Sequence, residues 1–262
     1  MTNIPLFSLP PSPGVKITQL YEHLELFSEG EPPRHTLFVL GRPTLAERNP
    51  LQAPQDQLLI IDPPANVSTR FRVEGNVATL FTGPVIETGF PLLQTESGGV
   101  AHIRIGAHYL DLYSQRQSTV IHLPALGVLC GGPFGSDQLP PTIAATSNGN
   151  DELETLRLLA GLIKGRRLQL YIPAVGELCR DLVETMGRLA ADVAYLHEIR
   201  RVVSGLVERG ESAEVIETIA PTLLPSRWQA SGEQRHLSNL QHLYAAWRNP
   251  TAAAPGSTAA EE

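Results

Sequence analysis

The chain has 262 residues, of which 42% are hydrophobic and 18% charged. That balance can bury a sizeable core and excludes a disordered chain, which needs the reverse. Its 27 acidic and 20 basic residues give a formal charge of −7, which excludes generic attraction to a polyphosphate backbone.

Residues 1–14 read as a flexible N-terminal segment, without the charged-then-apolar order of a signal peptide. Eleven of the 22 prolines lie between Pro5 and Pro64, so the first quarter should be strands and loops, because proline breaks helix interiors. Short β-branched or alternating runs predict strands at Thr36–Leu40, Leu58–Ile61, Val77–Phe81, His102–Ile105, Tyr109–Tyr113, Thr119–Leu123 and Val128–Cys130. A helix follows, capped by Asn150 or Asp151, with Leu153, Leu156, Leu159, Leu162 and Ile163 as one apolar stripe and Gly165 as a left-handed stop. Leu168–Ile172 reads as one more strand. No proline falls between Pro173 and Pro221, which frees Glu177–Glu208 to be helical. Ser212 can cap a short helix up to Ala220, and Gly232–Trp247 reads as the last helix. Residues 249–262 have nothing to bury and are expected to be disordered. The organisation is thus one domain over 15–248, with a helical C-terminal region over about 177–248. The fold class is α/β or α+β, in layers.

No apolar run reaches the roughly 18 residues of a membrane helix. Two cysteines, Cys130 and Cys179, cannot form a disulfide framework. The expectation is a cytoplasmic protein with neither a membrane nor a nucleic-acid partner. Cys130 reads as a buried packing thiol. Cys179 reads as early in a helix beside Arg180, where its pKa could be lowered.

Several phrases, in order, resemble the metallo-β-lactamase fold family of metal-dependent hydrolases, over about Ile17 to Trp247. Leu58–Pro63 (LLIIDP) is similar to the family's early strand ending in Asp, and Leu123–Gly132 (LPALGVLCGG) to its "LPELGVLFTGD" strand pair. The helix after Asn150, the strand LQLYIP and the phrase RHLSNLQHLYAAW complete the order. The resemblance implies an αββα sandwich.

It also implies where metal ligands should stand, and there the pattern fails. Family hydrolases hold one or two metal ions with a His-x-His-x-Asp-His turn, a further His, a bridging Asp and a last His, and the metal turns a water into a hydroxide nucleophile. On Leu80–Thr88 the four positions of that turn read Gly83, Val85, Glu87 and Thr88. The bridging Asp falls on Pro133 and the last His on Val175, while residues 114–118 (SQRQS) hold no third-strand His. Glycine, valine and proline side chains offer no lone pair to a cation. The resemblance therefore implies a pseudoenzyme with no metal and no cofactor. Its vestigial cleft, formed by Gly83, Val85, Glu87, Thr88, Pro133 and Val175, would hold a small ligand or a protein partner. As the only acid on the turn, Glu87 must face water, accept backbone N–H groups or meet an arginine such as Arg104 or Arg116.

Two alternatives stay open. A hydrolase could use a non-standard site drawn from His102, His108, Asp111, His122 or Asp137. If Gly106 turns the chain, His102, His108 and Asp111 could converge; otherwise they sit on a surface hairpin. A structural subunit is the other alternative, with Val202, Val203, Leu206 and Val207 leaving surface for a homodimer. His236 and His242 read as a solvated helix face, and the glycines of GGPFGSD as a tight turn rather than a phosphate cradle.

Overall fold

The computed structural model describes residues 14–41, 57–65, 67–70 and 76–249. The segments expected to be flexible (1–14) and disordered (249–262) lie, apart from Gly14 and Asn249, outside the described residues.

Two five-stranded sheets face one another. The first takes β1 (Val15–Tyr21), β2 (Leu24–Glu29), β3 (Arg34–Gly41), β4 (Gln57–Ile61) and β5 (Asn76–Leu80) in sequence order, antiparallel except for β4 and β5. The second runs β10-β9-β8-β7-β6, from β6 (Val100–Ile105), β7 (His108–Ser114), β8 (Thr119–Leu123), β9 (Val128–Gly132) and β10 (Leu170–Pro173); only β9 and β10 are parallel. Alternation along the strands decides which side chains meet. Leu37 and Val39 of β3, Leu59 and Ile61 of β4, Leu110 and Leu112 of β7 and Cys130 of β9 fill the space between the sheets. Phe38 and Ile60, one residue out of phase, face outward and pack with Phe27, Leu58 and Val67, the last from the short α1 (Val67–Arg70).

The outer face of the second sheet is covered by α2 (Asn150–Gly165), α3 (Leu182–Glu208), α4 (Glu214–Leu223) and α5 (Glu233–Arg248). The leucine stripe of α2 packs there as its spacing predicts, with Leu153, Leu156, Leu159 and Ile163 buried. Its ends differ from expectation. The left-handed residue is Gly149, ahead of the helix at φ 86°, and no side chain caps the start; Gly165 belongs to the helix, which gives way to an extended Arg166. Helix α3 starts at Leu182 rather than Glu177, because Cys179 exchanges backbone hydrogen bonds with Tyr171 and so lengthens the second sheet. Asp181 then caps α3, its carboxylate accepting the Glu184 N–H at 2.7 Å. Val203 and Leu206 lie in the core and Val202 and Val207 pack against it, so the stripe expected at a dimer interface is used within the chain. No helix among the described residues is long and apolar enough to cross a membrane.

The last helix corrects the sequence reading most sharply. His236 is 1% exposed, with one ring nitrogen against the Tyr195 hydroxyl (2.8 Å) and the other against the Ala220 carbonyl (3.0 Å). Asn239, also buried, accepts the Ile143 N–H and donates to Pro141 O and Tyr195 Oη, and His242 meets the Ile143 carbonyl. The polar face of α5 is thus an internal one. It stays buried because each group has a partner, and it clamps the 140–144 segment to the helix.

Candidate functional site

One end of the sandwich gathers the carboxyl ends of β4, β5, β9 and β10, the place where layered α/β folds leave room for ligands. Backbone bonds tie the two sheets together there. The His35 N–H donates to Ala174 O and the Gly176 N–H to Pro33 O, while the Ala174 N–H to Gly132 O extends the β9–β10 pairing within the second sheet. The loop after β9 turns tightly, with Gly132 at φ 62° and Gly135 at φ 67°, both in the region that favours glycine. Between these elements lies a cleft of about 450 Å³ lined by, among others, Arg34, His35, Asp62, Gly83, Pro133, Val175 and Arg235.

The structure therefore brings Gly83, Pro133 and Val175 to one cavity. Val85 is 60% exposed and lines a neighbouring cleft of about 330 Å³, together with Arg116. Glu87 is exposed. Arg104 hydrogen-bonds the Gly106 carbonyl and lies over the Tyr109 ring. Thr88 is buried, its hydroxyl 3.5 Å from that of Thr79. Sequence reasoning missed Arg34, His35, Asp62 and Arg235 as wall residues, although Asp62 ends a strand that it did single out.

Asp62, His35 and Glu29 are the wall's candidate metal donors, and the first two are committed elsewhere. Asp62 has a left-handed backbone at φ 52° that aims its carboxylate at the next strand end, where it accepts the Thr82 N–H (2.7 Å) and hydroxyl (2.5 Å). Burial pushes its carboxyl up to about 6, and the two bonds from Thr82 act the other way. The ring of His35 lies between the Ser28 hydroxyl (2.8 Å) and the Gly176 carbonyl (2.6 Å), so neither nitrogen faces the cavity unpartnered. Burial, its largest influence, lowers its pKa and favours the neutral ring. A zinc or iron centre needs three or four convergent N, O or S donors. Among the described residues no group of three His, Cys, Asp or Glu could hold a metal ion, and these residues do not fit one.

The non-standard ligands also resolve. Gly106 does turn the β6–β7 hairpin, and His102, Asp111 and His122 lie side by side across three strands. A guanidinium fills the cation's place. Arg166 donates to Asp111 Oδ2 and contacts His122 Nδ1, both at 3.0 Å, and bonds the Tyr113 hydroxyl; His102 Nδ1 lies 2.8 Å from Asp111 Oδ1. Burial alone would raise the Asp111 pKa, but the bonds from His102 and Arg166 prevail and hold it below the usual value. Burial and the Arg166 charge both lower the pKa of His122, which leaves a neutral ring able to accept. His108 is absent from this group, and Asp137 accepts the Glu177 N–H near Arg188. Neither thiol is a nucleophile candidate. Burial pushes Cys130 strongly up, and Cys179 is buried outside any helix, donating to Asp181 O.

No protein-family model matches the sequence, and no curated protein sequence matches it. Solved structures do. The stereoselective inverting sec-alkylsulfatase of Pseudomonas sp. superposes over 92% of this chain at 11% identity and a TM-score of 0.60. A β-lactamase domain protein of Burkholderia ambifaria superposes over 93% of this chain and 92% of its own, at 13% identity and a TM-score of 0.50. The chain has the metallo-β-lactamase fold. It spans 52% of the sulfatase's length, and identities this low speak for the fold alone. On this metallo-β-lactamase fold the cleft lies where the strand ends converge, and its walls include arginine, hydroxyl, proline and aliphatic side chains, Phe81 and Glu29, beside the two committed donors His35 and Asp62.

Proposed function

We propose that this metallo-β-lactamase-fold protein is a pseudoenzyme that binds a small ligand in the cleft between Asp62, Gly83, Pro133, Val175 and Arg235. One observation carries the reading: a cleft of about 450 Å³ lies at the strand ends while its imidazole and its Asp62 carboxylate are tied to Ser28, Gly176 and Thr82. Gly83, Pro133 and Val175 shape such a hollow but cannot ligate a cation. A hollow of that size suits a small molecule better than a protein segment.

The test is metal analysis of the purified protein, with melting followed in the presence and absence of a chelator. The expected result is less than one zinc, iron or manganese per chain and no change in melting temperature. A stoichiometric ion whose removal lowers the melting temperature would overturn the reading, since an ion bound to the folded state adds to stability.

A further inference from the structure

Two arginines reach this cleft from opposite ends of the chain. Arg34 opens β3 and pairs across an isolated bridge with Val175, so its backbone is fixed to the cleft's other wall. Arg235 lies in the first turn of α5, half-buried, and spends one nitrogen on the Pro140 carbonyl at 3.3 Å. Neither makes an ion pair with a carboxylate among the described residues. Burial first, and then the charge of Arg34, bring the pKa of Arg235 down to about 10, so the two cations feel one another across the cavity. Holding like charges together is unfavourable, and an arginine near a helix start also opposes the helix dipole. Such an arrangement is explained when something negative completes it.

The rest of the wall agrees. Thr142, whose hydroxyl makes no hydrogen bond among the described residues, lies in the segment that Asn239 pins through Ile143 N–H and Pro141 O. Arg235 and Thr142 are therefore preset relative to one another by α5. Two acids touch the cleft. Asp62 is taken up by Thr82, and Glu29 faces Arg34 across the β2–β3 register. The balance is two permanent cations against Glu29 and a carboxylate already saturated with donors.

We infer that the cleft is an oxyanion site: Arg34, Arg235 and Thr142 grip the phosphate, sulfate or carboxylate group of a small ligand. This rests on the reading of the cleft as a ligand site and names the chemistry that it selects. Guanidinium groups suit such a ligand because they present paired donors to planar or tetrahedral oxyanions.

Titration of the full chain with sodium phosphate, sodium sulfate and sodium acetate, at ionic strength fixed with sodium chloride, tests this by following the amide resonances of Gly83, Gly132 and Val175. At least one oxyanion should shift these amides in a saturable way that chloride does not reproduce. Arg34→Gln, at an exposed position, should weaken that binding roughly 10-fold or more, as expected for losing a charged hydrogen bond. Arg235→Gln should do the same, and Thr142→Val should weaken it less; melting curves verify that each variant is folded. Wild-type affinity in folded Arg34→Gln would overturn the inference, as would oxyanions that act no differently from chloride. A set of uncharged fragments separates the two levels. Fragments that shift the cleft amides where oxyanions fail would sink the oxyanion class and leave the ligand site standing, whereas silence from both would sink the site as well.

Discussion

Asp192 on α3 is 0% exposed, and one carboxylate oxygen accepts the Gly135 N–H at 2.6 Å while the other has no partner among the described residues. It anchors, from beneath, the loop that brings Pro133 and Ser136 to the cleft. Burial pushes its carboxyl up to about 8, against the pull of the Gly135 N–H and the Arg227 charge. At neutral pH the folded chain therefore holds a proton that the unfolded chain has released. A raised carboxyl pKa fixes the sign: its contribution is fully present below about pH 4, is lost as pH rises through about 8, and is constant beyond. From 3.8 to about 8, at 1.36 kcal/mol per unit, the ceiling is about 6 kcal/mol. Asp192→Asn removes the titration and keeps an oxygen for Gly135, but places a second amide proton where no acceptor stands, a cost of about 1–2 kcal/mol. The variant should be slightly less stable than wild type at pH 4, equal near pH 5 and more stable by several kcal/mol at pH 8.5. Urea unfolding of both proteins at pH 4, 5, 7 and 8.5 measures the difference, in which other titrating groups cancel. Parallel stability curves across that range would refute the buried, proton-holding carboxyl.

Gly131→Ala would place a methyl group onto the Tyr171 hydroxyl, which is fixed by its bond to the Phe134 carbonyl. A loss of about 2–3 kcal/mol in urea unfolding is expected, since neither the strand nor the ring can yield cheaply. Arg166→Ala should raise the pKa of both Asp111 and His122, because the guanidinium lowers each of them. An NMR pH titration of the two side chains measures this, and unmoved values would show that the guanidinium does not set the charge of the cluster.

Much of the sandwich could be read locally. Runs such as Leu58–Ile61 and Thr119–Leu123 announce strands because they are short, rich in apolar and β-branched residues and almost wholly buried, and the α2 stripe announces itself at helical spacing. The strands β1 and β2 went unread for the same local reason. They lie in the proline-rich first quarter, and β1 is an edge strand whose side chains are only partly covered, so its alternation is weak. Helix α5 was assigned the wrong polarity because a histidine is scored as solvated until its partners are seen. Tyr195, Ala220 and Ile143, which partner the buried His236 and the half-buried His242, all lie outside that helix.

The site divides along the same line. Gly83, Pro133 and Val175 could be placed from short phrases, because each follows the end of a recognisable strand and the fold brings strand ends together. Val85 and Glu87 sit on the same phrase yet are exposed and do not line that cavity, since a loop's direction is set by packing that a phrase does not contain. The chemistry of the cleft was illegible for a stronger reason. In sequence, Arg34 is one polar residue after two prolines, and Arg235 is one of several on a helix with a low apolar content. Their significance is a relation between them, created when β3 is clipped to the segment after β10 and α5 is clamped to the strap at residues 140–144. Neither constraint reads out from spacing. The scaffold fixes where side chains converge and leaves open which ones they are, so residues that no family pattern marks can meet at one cleft.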